Sequence, residues 1–168
     1  MKAKATPLFL LISALTVFPA AALADTRGGG ETTNSNVTLN NVVDEATDIW
    51  EILESEGLTL TTASRCIVTA CSDVGHPGSG TDNDYRFVIS VDDTSPGIDT
   101  SSERSLEMSQ NSGVDDPDSV AICSTRFINI PSGTHTISWL GSRATAADQP
   151  TTVFDTNMTV GCFDGTEL

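Results

Sequence analysis

Residues Val120 to Leu140 run Val-Ala-Ile-Cys-Ser-Thr-Arg-Phe-Ile-Asn-Ile-Pro-Ser-Gly-Thr-His-Thr-Ile-Ser-Trp-Leu. In the first half Ile122, Ser124, Arg126, Ile128 and Ile130 fall on one face at a period of two, the spacing of a pleated strand. Pro131, Ser132 and Gly133 then supply turn chemistry, because proline presets one backbone angle and glycine tolerates positive ones. A second extended run follows from Thr134 to Leu140. Two strands joined by a tight turn set the pattern for the rest of the chain.

Working outward, the same signals recur at short spacing. Val37 to Val43 is read as a first strand, and Leu58-Thr-Leu-Thr-Thr alternates apolar with polar. Cys66 to Ser72 follows, and Asp84 to Val91 puts Tyr85, Phe87, Ile89 and Val91 on one face. Arg104 to Met108 alternates more weakly. Thr152 to Phe163 brings Val153 and then Met158, Val160 and Cys162 into step. Glu45 to Glu54 is ambiguous, since Ile49 and Leu53 have helical spacing while Trp50 and Ile52 have strand spacing; it is assigned to strand. Loops rich in Gly and Pro, such as Gly75-His-Pro-Gly-Ser-Gly and Thr94-Ser-Pro-Gly, separate the runs. Short strands with such loops predict an all-β, antiparallel β-sandwich or barrel. No internal repeat or heptad suggests a solenoid or coiled coil.

The N-terminus sets the compartment. Lys2 and Lys4 precede an apolar stretch from Leu8 to Val17, and Ala22-Leu23-Ala24 offers a small-residue cleavage site, the pattern of a secretory signal peptide. The expected organisation is a signal over residues 1–24, a polar, Gly-rich flexible lead-in over 25–36, and a single β-sandwich domain over 37–168. No stretch approaches the roughly 20 apolar residues that a membrane-spanning helix needs. The first residue after the cleavage site is not Cys, so no lipid anchor is expected, and the product is secreted or extracellular, with retention in the periplasm as the alternative. The style of the signal looks bacterial, which makes the sequons at Asn36 and Asn157 incidental.

Cleavage removes both lysines, so every remaining basic residue is Arg, against 23 acidic ones in a chain of net charge −15. That balance excludes nucleic acid and anionic lipid surfaces as partners, because both are bound through clustered Lys and Arg. The acids are scattered, as on a solvated surface. Calcium is the sharper reading for Asp82 with Asp84, Asp92 with Asp93, and Asp115 with Asp116 and Asp118. None of these fits the calcium-loop motif, so they are read as loop acids and no cofactor is expected.

Four cysteines in an exported chain read as two disulfides. No CxxC pair occurs, and neither His76 nor His135 lies at a zinc-ligand offset from a cysteine pair. Cys66 and Cys71 are about 16 Å apart along a straight strand, beyond the reach of a disulfide. Each must therefore pair with Cys123 or Cys162.

The segment from Cys123 to Leu140 resembles the end of the C1q and tumour-necrosis-factor-like jelly roll, where a strand meets an aliphatic, x, Gly, polar turn before a Trp-bearing or apolar strand. Asp155 to Phe163 is similar to that family's last strand. The likeness spans residues 57 to 163 at the level of strand order. The chain departs from the family in having one Tyr and in lacking a glycine-aromatic motif before the third core strand. The resemblance implies a jelly roll in which the Cys66 strand lies between the last strand and the Cys123 strand, antiparallel to both. It thereby implies the pairs Cys66 with Cys162 and Cys71 with Cys123. It also implies a non-enzymatic recognition or structural module that packs as a homotrimer or caps a larger assembly.

Catalytic signatures are missing. His76 in its Gly-Pro loop and His135 after the Ser-Gly turn could serve as bases or metal ligands, yet no G-x-S-x-G or H-E-x-x-H frames either. A hydrolase would need a site of unrecognised form. Carbohydrate binding is the stronger rival, since sandwiches present aromatic platforms to sugars. Trp50 and Trp139 are its candidates, with Trp50 and His76 the residues expected to face a ligand and Trp139 expected in the core. The sequence therefore predicts an exported interaction or structural module without a catalytic or metal site, contacting a protein or glycan partner.

Overall fold

The computed structural model describes residues 36–44, 47–77, 82–97, 103–108 and 119–164. The signal segment, nearly all of the lead-in, and Asp115, Asp116 and Asp118 lie outside the described residues. Among the described residues ten strands occur in chain order: β1 (Val37–Leu39), β2 (Val43–Asp44), β3 (Thr47–Asp48), β4 (Glu51–Leu60), β5 (Ser64–Gly75), β6 (Asn83–Val91), β7 (Arg104–Met108), β8 (Ser119–Ile130), β9 (Gly133–Arg143) and β10 (Thr151–Asp164). The first sheet has the order β1-β10-β5-β8, the second β4-β9-β6-β7, and β2 with β3 forms a small ribbon. Every ladder is antiparallel, and the two sheets make a β-sandwich with jelly-roll strand order.

Alternation explains the core. Cys66, Val68, Ala70 and Val74 of β5 face Tyr85, Phe87 and Ile89 of β6 and Ile137 and Trp139 of β9, all within one buried cluster. Trp139 sits inside it, stacked on Phe87 with ring centroids 5.6 Å apart. Its indole N–H donates to Ser72 Oγ at 2.9 Å, and Ser72 shares a 3.0 Å hydroxyl contact with Thr156. The one polar atom of the ring is thus satisfied in an apolar interior.

In β10 the pairing with β5 shifts between Phe154 and Asn157, and Asp155 takes φ 50°. This bulge reverses the parity of the strand, so Val153 and Met158, an odd and an even position, both point inward. Gly141 marks the tightest packing. A Cβ there would meet Leu53 Cδ1 at 3.0 Å, Leu39 Cδ2 at 3.1 Å and Phe87 Cε1 at 3.2 Å.

Two strand boundaries differ from expectation. The run Val37 to Val43 is not one strand: β1 ends at Leu39, and the chain turns across to the second sheet, where Val42 bridges to Arg143. The Glu51 carboxylate causes the break by accepting from the amides of Asn40 (2.9 Å) and Asn41 (2.8 Å), while Arg143 N–H and Ser142 Oγ–H donate to the Asn41 carbonyl. The stretch Glu45 to Glu54, read as one strand, is interrupted: β3 ends at Asp48, and β4 begins at Glu51 and continues through the Leu58 pattern to end at Leu60.

Candidate binding surface on the outer face of the first sheet

Both tryptophans are buried. Trp139 is in the core, and Trp50 retains 7% of its surface, with its indole N–H donating to the Pro96 carbonyl at 2.9 Å. The expectation that Trp50 faces a ligand is thereby corrected. The reason lies on the back of the second sheet, where Val88 and Leu140 are apolar at outward positions and need a cover. Val43 and Trp50 supply it, forming a second small core. Neither ring offers a platform to a sugar.

The histidines part company. His76 follows β5 directly and is half-buried. His135 is joined to Asp92, its Nδ1 lying 2.6 Å from Oδ2, while its Nε2 lies 3.0 Å from the Pro131 carbonyl. Both ring nitrogens thus face acceptors, an arrangement in which the imidazolium donates twice. The hydrogen bond to Asp92 is the main cause that raises the His135 pKa, and the same contact lowers that of Asp92. Asp92 Oδ1 also accepts from the Thr136 amide at 2.8 Å. With neither ring nitrogen free to take a proton from a nucleophile, His135 pins the β8–β9 turn.

Among the other acids, Asp93 accepts from the Ser95 amide at 2.8 Å within its own loop. Asp148 is buried and accepts from the amides of Asp84 (3.0 Å) and Thr145 (2.6 Å), ordering the 144–150 loop. Among the described residues no group of three or more His, Cys, Asp or Glu is placed to hold a metal ion.

The cysteines divide between the two faces of the first sheet. Cys66 is bonded to Cys162 within the core, and Cys71 to Cys123 on the outside, both pairs lying directly opposite in register. These are the pairs that the jelly-roll order implies. The five-residue offset of Cys66 and Cys71 is odd, which sends them to opposite faces of one strand.

That outer face carries the surface chemistry. Across β10, β5 and β8 the register sets Gly161, Ile67 and Phe127 in one row, Phe163, Arg65 and Asn129 in the next, and Thr159, Thr69 and Thr125 on the other side. Arg65, Ile67, Phe127 and Phe163 line an open groove of about 370 Å³. Phe127 is 63% exposed, and the Arg65 guanidinium lies 5.9 Å from its ring centroid, within cation–π range. Gly161 has no side chain, which leaves room beside Ile67 opposite it. These three rows contain no acid, in a chain that has 23.

The sequence reading did not single out this groove, although the signal was present. If Ile122, Ser124, Arg126, Ile128 and Ile130 face inward, Phe127 must face outward. Arg65, Ile67 and Phe163 share that face only because β5 and β10 are its neighbours, which the order of residues along the chain does not state.

No family model matches the chain, and no curated protein matches it. Among solved structures it is similar to the C-terminal domain of EclA, a sugar-binding protein, with a TM-score of 0.42 and 10% identity over 85% of this chain and 90% of that one.

Proposed function

We infer that this is an exported, non-enzymatic recognition or structural module that contacts its partner through the acid-free rows around Phe127 on the outer face of the first sheet. The observation that carries the reading is Phe127, an aromatic ring 63% exposed on the outer face of the edge strand β8, with an arginine beside it. Leaving such a ring in water forgoes the burial that favours folding, and aromatic and arginine side chains are the usual anchors of protein interfaces. The apolar floor and single cation suit a partner segment that brings an apolar side chain and a carboxylate. Two disulfides fit an oxidising compartment, in agreement with export.

A second reading, carbohydrate recognition, moves from the tryptophans to Phe127 and Phe163, whose rings line the groove. One experiment separates the two. The chain from Asp25, with Phe127→Ser and Arg65→Ala variants, is screened against immobilised peptides bearing apolar and acidic residues and against immobilised glycans. We expect peptide binding that falls about tenfold or more in both variants, at unchanged thermal stability. Glycan binding lost in Phe127→Ser would favour the second reading. Binding indifferent to both substitutions, or turnover of ester, peptide or glycoside substrates, would overturn the proposal.

A further inference from the structure

The edges of a β-sheet expose unpaired backbone donors and acceptors, and folded proteins protect them by shortness, bulges or charge. Of the four edges of the two four-stranded sheets, three follow that rule. β1 has three residues and β7 five. β4 has a register irregularity between Ile52 and Glu54 and carries Glu51, Glu54 and Glu56. β8 does none of this. It runs for 12 residues in unbroken register with β5, without a proline, a bulge or an acid, and among the described residues its other side pairs with nothing. Its one charged side chain, Arg126, turns inward to donate to the Ile89 carbonyl at 2.7 Å.

The direction of the free backbone groups follows from the outer disulfide. Cys71 and Cys123 have Cα atoms 4.2 Å apart, the narrow spacing of a non-hydrogen-bonded pair in an antiparallel ladder. Cys123 therefore aims its N–H and C=O away from β5. By alternation Ala121, Thr125, Phe127 and Asn129 do the same.

We propose that β8 pairs with β8 of a second copy of this chain about a two-fold axis at Thr125, joining the two first sheets into one continuous eight-stranded sheet. Charge selects the edge at which two copies meet: copies of a chain with 23 acidic residues repel one another, and this long, acid-free edge lets them approach with least repulsion. Antiparallel pairing also sends the two Ser119 ends to opposite extremities. An axis at Thr125 sets Phe127 opposite the partner's Cys123, so that the exposed ring gains an apolar neighbour across the joint. The contact is isologous, as closed dimers require.

This inference stands on the strand edge and goes beyond the groove reading. Thr125 does not line the groove, so the two proposals fail separately. The test is sedimentation velocity of the chain from Asp25 over a concentration series, with amide exchange measured on the same samples. We expect the mass to double, more readily as salt screens the repulsion. In the dimer the amides of Ala121, Cys123, Thr125, Phe127 and Asn129 should exchange about tenfold more slowly or less than in dilute solution, while their even-numbered neighbours, already bonded to β5, change little. Thr125→Pro removes an outward N–H only and should give a monomer with both disulfides formed. A chain monomeric throughout, a trimeric mass, or a dimer whose odd-numbered β8 amides gain no protection would overturn the proposal. If Thr125→Pro fails to fold, exchange in the unaltered chain decides.

Discussion

Single residues set tolerances that the strand pattern does not reveal. Gly141 is one, because the atoms awaiting a Cβ come from β1, β4 and β6 at once. Gly141→Ala should destabilise the chain by about 1 to 3 kcal/mol, read from urea unfolding, since a packed core resists one added carbon. An unchanged midpoint would show that the Leu39 and Leu53 side chains move aside. His135 and Asp92 form a second residue-scale device. The raised pKa of His135 means that its contribution is complete below the ordinary value of 6.5 and is lost as pH rises through the folded-state value. The lowered pKa of Asp92 means that its contribution is complete above 3.8 and is lost as pH falls through its own folded-state value. The contact is thus at full strength between about 3.8 and 6.5. An NMR titration should place the His135 midpoint above 6.5, and Asp92→Asn should lower it. A midpoint at or below 6.5 in the unaltered chain would contradict the geometry.

Among elements, β5 organises the first sheet, bridged to β10 through the core and to β8 across the solvent face. The two bridges differ in access: Cys66 and Cys162 are 0% and 2% exposed, whereas Cys123 is open to solvent. A thiolate must reach a sulfur to attack it. Mild dithiothreitol under native conditions should therefore reduce Cys71–Cys123 first, and Cys66–Cys162 only at the rate of global unfolding. Alkylation followed by peptide mapping checks the order; simultaneous loss of both bonds would mean that the core opens locally. The strands themselves were legible where alternation was clean, as in β6, β8 and β9. The first strand was read too long because Val42 and Val43 are apolar, yet Val43 covers the back of the second sheet while Val42 bridges to Arg143, and the Glu51 carboxylate that turns the chain acts from ten residues away. Local sequence gives no sign of such a contact.

For the whole molecule, composition and alternation were sufficient for an all-β sandwich, for two disulfides, and for the exclusion of Cys66 pairing with Cys71, since these depend on period, count and reach along one strand. The residues that bear on function were another matter. Trp50 has the chemistry of a sugar platform, but two outward apolar residues on neighbouring strands draw it under cover. Phe127 has the chemistry of a core residue, but the parity of β8 leaves it in solvent. The groove of Arg65, Ile67, Phe127 and Phe163 draws on three strands whose adjacency is set by jelly-roll order. Exposure and adjacency are properties of how the sheets stack, and strands far apart in sequence decide them jointly. The sequence by itself determined which residues are able to pair, bury or bond; only the tertiary structure decided which of them meet, because the free energy of burial depends on partners that the local chain does not contain.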